Sequence, residues 1–207
     1  MARDARVDDI LVDKVFYNEL EENHLKAHSQ PSVIFITGVS GSGKSTFIDQ
    51  IETNALKIQP DNYRKLHPKL TEFIRKVGRY NAHKKTGNYA FRFALALRDK
   101  AISNNINVIY EATFSKLETA ENIIKPFRDA GYQIVIVTLP IDVDLSIQRN
   151  KDRYETKKLQ DHTIPRLVSR EDIENMANAY QNVISALQQQ GITVISSTEF
   201  DLSVIHM

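Results

Sequence analysis

The stretch Ser32-Val-Ile-Phe-Ile-Thr37, continued by Gly38-Val-Ser-Gly-Ser-Gly-Lys-Ser45, decides the fold. Residues 32–37 are a short β-branched and aromatic run, the composition of a buried strand. The next eight residues match G-x-x-x-x-G-K-[ST], and the apolar periodicity of residues 46–51 then reads as a helix. Strand, glycine loop and helix in that order make a phosphate-binding loop. The glycines let backbone amides turn inward and approach phosphate oxygens, and the helix start adds its positive dipole end. Lys44 is spaced to reach the terminal phosphates and Ser45 to hold Mg²⁺. Only seven glycines occur in 207 residues, so a chance glycine-serine turn followed by Lys-Ser is a poor alternative. The nucleotide set read from the loop is Gly38, Ser40, Gly41, Ser42, Gly43, Lys44, Ser45 and Thr46, with ATP and Mg²⁺ as cofactors. The loop does not identify the acceptor.

Working outward, short apolar runs at 55–59, 107–112, 133–139 and 192–196 read as four more strands. Helical periodicity occupies 69–84, 89–103, 116–129, 142–157 and 170–190, with a break expected at Thr86-Gly87. Apolar strands alternating with helices predict an α/β fold: three layers around a five-stranded, mainly parallel sheet. An amphipathic helix over residues 8–26 precedes it. Residues 1–30 are therefore expected to be a helical extension, and 31–207 a phosphate-loop kinase domain. Within that domain, helices over about 69–103 would bind the acceptor, and a polar segment over about 157–170 would form a lid. On such sheets ligands bind at the carboxyl ends of the strands, here just after Thr37, Gln59, Tyr110 and Leu139.

Composition narrows the remaining classes. Twenty-seven basic residues face 26 acidic ones, for a net charge of +1, which does not suit wholesale nucleic-acid binding. There is no cysteine, so disulfides, thiolate catalysis and zinc–thiolate sites are excluded. The apolar runs fall far short of the roughly 18 residues needed to span a bilayer. The N-terminus lacks the apolar centre of a signal peptide. A cytoplasmic protein with no membrane partner is expected.

Five places at or around the predicted ligand edge carry chemistry. Asp61, just past the second strand, is placed to accept a proton from an acceptor hydroxyl, or to cap a short helix at 62–66. Arg64, three residues on, suits an acceptor phosphate or an ion pair with Asp61. Glu111 ends the third strand, where a carboxylate can join the Mg²⁺ shell or bind an acceptor hydroxyl; a solvated strand end is the plainer reading. Arg149 and Arg153 share a helix face at i, i+4. They suit charge stabilisation in phosphoryl transfer, stacking on adenine, or a solvated basic face. The lid carries His162, Arg166 and Arg170. The region 69–98 is basic, with Arg75, Arg79, His83, Lys84, Lys85, Arg92 and Arg98, and would suit a negatively charged acceptor.

These pieces together resemble the zeta-toxin family of P-loop kinases. The resemblance runs through the phosphate loop, then PDNYRKLHP, NVIYEATF, GYQIVIVTLP and RNKDRYE, in order over roughly residues 32–155. Asp-x-x-Arg-x-x-His-Pro after the second strand is its most specific part. It implies ATP-dependent phosphorylation of UDP-N-acetylglucosamine at its 3′-hydroxyl. Asp61 would be the base, Lys44 and Ser45 would hold phosphates and Mg²⁺, and Glu111 and Thr113 would meet the sugar nucleotide; beside these, spacing alone adds Arg149 to the nucleotide set and Arg64 to the acceptor side. Arg153 would contact the ATP phosphates. The family's second lid arginine, three residues before a proline, is His162 here, and Arg166 follows Pro165, so either residue would supply that charge. Ser115 stands where the family carries an arginine. The resemblance also implies a small helical antitoxin as partner. The helix over 8–26 would then pack beside the nucleotide site or dock a partner, or simply cover an edge of the sheet.

Overall fold

Thr37, the last residue of the first strand, lies level with Ala112 on one side and Thr138 on the other, so three strands end together. In the computed structural model, which describes residues 5–160 and 164–201, the sheet is β1 (Ser32–Thr37), β2 (Leu56–Ile58), β3 (Val108–Ala112), β4 (Gln133–Thr138) and β5 (Thr193–Ser196). Its order is β2-β3-β1-β4-β5. Every strand pair is parallel, where the sequence suggested a mainly parallel sheet. β1 is central and buried along its whole length. Its side chains alternate between two cores. Val33 and Phe35 enter one with Tyr110, Phe93 and Phe127, while Ile34 and Ile36 enter the other with Ile48 and Val137. Phe35 is the hub of the first core, with ring centroids of Tyr110, Phe114 and Phe127 at 5.7, 5.4 and 5.8 Å.

The helices are α1 (Asp9–Glu22), α2 (Lys44–Asp49), α3 (Leu70–Ser103), α4 (Leu117–Asp129), α5 (Val143–Lys158) and α6 (Arg170–Gln189). α2 covers one face through Ile48; α3, α4 and α6 contribute to the core on the other. α1 starts where the Asp8 carboxylate accepts the Ile10 amide at 3.0 Å. It buries Val12 and Phe16 and contacts α3. Of the three placements considered for this helix, packing beside the nucleotide site is excluded: among the described residues none of α1 lines the phosphate-loop cavity.

α3 corrects the expected break. The helix runs through Thr86-Gly87 and is interrupted instead at Gly78, at φ 77° and ψ 162°, a conformation that glycine alone adopts cheaply. The Thr86 hydroxyl is absorbed within the helix by the carbonyls of Ala82 and His83, at 3.0 and 3.1 Å. Gly87 keeps ordinary helical φ, because what it supplies is space: a Cβ there would lie 3.1 Å from Arg64 Nη1.

α4 contains Pro126 in its last turns. Proline removes the amide that would bond the carbonyl of Asn122. Arg98 replaces it: its guanidinium is buried, and Nη1 donates to Asn122 O at 2.8 Å. The basic character of Arg98 is therefore spent on holding α3 to α4, not on an acceptor. Among the described residues no helix is long and apolar enough to cross a membrane.

Candidate active site

The ends of β1, β3 and β4 open into a cavity of about 690 Å³. Ser40 to Thr46 form one wall, and Asp61, Glu111, Thr113, Arg149, Arg153 and Arg166 face it from other elements. A second cavity of about 280 Å³ lies between the 60–66 turn, α3 and the end of β3, and a third of about 450 Å³ runs along α3 past Tyr80, His83 and Lys84. Asp61, Glu111, Thr113 and Arg166 line both the first and the second. A group on the phosphate side and a hydroxyl on the other can therefore meet at these four side chains.

The phosphate loop adopts the geometry its glycines allow. Gly43 sits at φ 99° at the start of α2, leaving the first helical amides free for an anion. Lys44 Nζ donates to the carbonyls of Gly38 and Val39, both at 2.9 Å. Burial pulls the Lys44 ammonium down to about 8, partly opposed by Glu111. Ser45 Oγ donates to Glu111 Oε2 at 3.2 Å, and Gln59 Nε2 to the same oxygen at 3.3 Å. Gln59 was not singled out by the sequence, although its place at the end of β2 was a signal.

Asp61 lies in a 3₁₀ turn over Pro60–Leu66, not ahead of a helix at 62–66. It is not the cap of that turn: the cap position belongs to Gln59. Its Oδ1 instead accepts Arg64 Nε at 2.7 Å. Arg64 Nη1 goes on to the His83 carbonyl at 2.6 Å. Burial alone would raise the Asp61 carboxyl; the bonded guanidinium overrides it and holds the group below the ordinary carboxylate value. His83, which lines the third cavity, is pushed down to about 4 by burial and by Arg64. It is therefore neutral near pH 7. His67 of the same motif is structural: its Nδ1 accepts the Lys69 amide at 3.0 Å and its ring packs on Phe73 and Tyr89.

α5 lies against the loop. Arg149 Nη1 donates to the Ser42 carbonyl at 3.1 Å and to that of Gly41 at 3.4 Å. Arg153 Nη2 donates to Asn150 Oδ1 at 2.6 Å. Asn150 is fully buried and was missed by sequence reasoning. The available signal was that α5 is polar from Gln148 onward but for Tyr154, so its inward face there had to be polar too; the buried residues of α5 are Ser146 and Asn150. α6 also touches the loop: Met176 Sδ accepts the Ser40 amide at 3.3 Å, and Tyr180 OH pairs with Thr37 Oγ1 at 2.8 Å.

Of the residues expected to form a lid, Arg166 reaches the cavities, whereas Arg170 opens α6 and pairs with Asp144 at 2.5 Å and with Glu174 at 3.4 Å. His162 lies outside the described residues. Arg79 is engaged elsewhere, donating to the carbonyls of Lys158 and Gln160.

Oxygen donors, a loop of amides and converging cations can neutralise a transferring phosphoryl group, while a carboxylate can take a proton from its acceptor. Comparison with known proteins agrees with this chemistry. The model of the family described as Zeta toxin matches residues 18–201. No curated protein matches the chain. A solved structure from the PezAT chromosomal toxin–antitoxin system of Streptococcus pneumoniae superposes with a TM-score of 0.75 at 19% identity, covering 94% of this chain and 80% of that one. The AvrRxo1-ORF1:-ORF2 complex with ATP gives 0.60 at 13% identity, over 91% and 61%. A candidate kinase from Chloroflexus aurantiacus j-10-fl gives 0.57 at 13%, over 86% and 95%.

Proposed function

From a chain that belongs to the zeta toxin family of phosphotransferases, we propose a kinase that transfers the γ-phosphoryl group of ATP to a UDP-activated amino sugar, UDP-N-acetylglucosamine, at its 3′-hydroxyl. The observation that carries this reading is the seam position of Asp61, whose carboxylate lines the nucleotide cavity and its smaller neighbour at once. The second and third cavities bring Arg64, Lys84 and Arg166 around the acceptor side, which favours an acceptor that carries phosphate.

Asp61 takes the proton of the acceptor hydroxyl as its oxygen attacks phosphorus. Arg64 keeps that carboxylate ionised and in place. Lys44, Arg153 and Arg166 meet the charge that develops on the phosphoryl oxygens. The loop amides of Gly41 and of Gly43 to Thr46 and the guanidinium of Arg149 hold the nucleotide end. The Ser45 hydroxyl and the Glu111 carboxylate are hard oxygen donors 3.2 Å apart, a pair that fits Mg²⁺; when bound, the ion supplies charge neutralisation between the phosphates. Glu111 and Thr113 are then also in reach of acceptor hydroxyls. A small helical antitoxin is the proposed protein partner, in line with the toxin–antitoxin system from which the pneumococcal structure comes.

The test is an acceptor screen. Purified protein, MgATP and a panel led by UDP-N-acetylglucosamine are read by mass spectrometry for a gain of one phosphoryl group, with Asp61→Asn as control. A phosphorylated UDP-sugar that falls by about 10²–10⁴ in the control supports the reading. Transfer only to another hydroxylated acceptor, such as a nucleoside or an antibiotic, would overturn the acceptor while leaving the kinase.

A further inference from the structure

The carboxamide of Asn150 is used in full. Oδ1 accepts from Ser40 Oγ at 3.0 Å and from Arg153 Nη2 at 2.6 Å. Nδ2 donates to the Ser40 carbonyl at 3.0 Å and to the Ser146 carbonyl at 2.8 Å. Two donors and two acceptor sites are all that a carboxamide has, and here each meets a different group. The residue is fully buried, so no water competes for them. The fit is close on the loop side as well: a Cβ on Gly41 would lie 2.6 Å from Asn150 Nδ2 and 2.4 Å from Ser146 O. Glycine at 41 is thus what lets the phosphate loop sit against α5.

We propose that Asn150 is a positioning residue that registers Arg153 against the phosphate loop, so that the guanidinium meets the terminal phosphate of a bound nucleoside triphosphate and not the shorter diphosphate. The inference rests on the proposed role of Arg153 but not on the acceptor. Oδ1 joins the Ser40 hydroxyl to Arg153, and Nδ2 ties the Ser40 carbonyl to that of Ser146. A loop serine and an arginine three residues further along α5 are in this way set to one common reference. Aspartate at 150 keeps the shape and the acceptor for Arg153 but turns the donor half into an acceptor facing two carbonyls, so it separates the two halves.

The experiment measures the affinities of MgATP and MgADP by titration calorimetry for the wild-type chain, Asn150→Ala, Arg153→Ala, the double variant and Asn150→Asp, with thermal unfolding followed in parallel. Loss of one charge-assisted contact is worth roughly tenfold. Asn150→Ala is expected to lower the preference for ATP over ADP by about tenfold, as Arg153→Ala does, and the double variant to lose no more than either. Asn150→Asp is expected to weaken both nucleotides together while keeping the preference, and it tests the inference even if the alanine variant fails to fold. Equal weakening of ATP and ADP in Asn150→Ala, additive losses in the double variant, or loss of the preference in Asn150→Asp would each overturn the inference and leave the kinase reading standing. A wild-type chain that binds neither nucleotide would overturn both.

Discussion

Arg64 ties Asp61 to the middle of α3. Its Nε holds the carboxylate at 2.7 Å while its Nη1 holds the His83 carbonyl at 2.6 Å. The carboxylate therefore sits where α3 puts it, not where the short 60–66 turn alone would. Arg64→Met should lower phosphoryl transfer by about 10²-fold, because base geometry and base charge both fail. It should also move the acid limb of the pH–rate profile upward. The sign follows from the opposed causes: burial raises the Asp61 carboxyl and Arg64 is the foremost group lowering it, so removing the guanidinium leaves burial opposed only by the lesser effects of His83 and Arg166. An acid limb that stays where it was would show that Arg64 does not set the charge of Asp61.

Gly87 offers a separation of stability from activity. Its backbone is helical, and alanine in a helix interior is favoured over glycine by roughly 0.5–1 kcal/mol. The added methyl would press on Arg64 Nη1 at 3.1 Å. Gly87→Ala should therefore raise the unfolding temperature slightly while lowering turnover about tenfold through displaced Arg64. Chemical denaturation and initial rates on the same sample decide it; a variant both stabilised and fully active would refute the link.

Lys44 should make nucleotide binding depend on pH. Burial holds its ammonium at about 8, well below the ordinary value near 10.4. Phosphate restores a reason to be charged, so above pH 8 binding must recruit a proton. Affinity for ATP should then fall as pH rises through and beyond 8, with net proton uptake. Calorimetry at pH 8.5 in buffers of different ionisation enthalpy measures that uptake directly. Lys44→Met should bind more weakly and show none of it.

Arg98 and Pro126 form a compensating pair across two helices. Arg98→Leu should destabilise the protein by about 2–3 kcal/mol, since the Asn122 carbonyl is left without its donor. Adding Pro126→Ala supplies the missing helical amide and should recover a good part of that loss. Urea melts of the four chains give the coupling; strictly additive effects would show that the two residues act independently.

The five strands and the phosphate loop were legible because they depend on local patterns: apolar runs, glycine spacing and a following helix. Asp61, Glu111, Arg153 and Arg166 were legible as candidates because strand ends on a parallel sheet fall at one edge, and the structure gathers them at one cavity. The break in α3 was not legible. Gly78 and Gly87 look alike in sequence, and only the approach of Arg64 from a different element distinguishes the glycine that gives room from the glycine that turns the chain. Arg98 resembled an acceptor-binding cation for the same reason, since Pro126 lies 28 residues away. Asn150 was hidden by its surroundings, a polar residue among polar residues, and became visible only once α5 was seen to bury Ser146 and Asn150.

The loop is gripped from two sides by consecutive helices. α5 holds it through Arg149 and Asn150, and α6 through Met176 and the Tyr180–Thr37 bond. Each helix has its own attachment to the phosphate loop. Cleavage of the chain between the two helices should leave two fragments that remain associated and purify together. The same point in the chain is where the gene could be divided, giving halves that are each inert and that regain nucleotide binding when mixed.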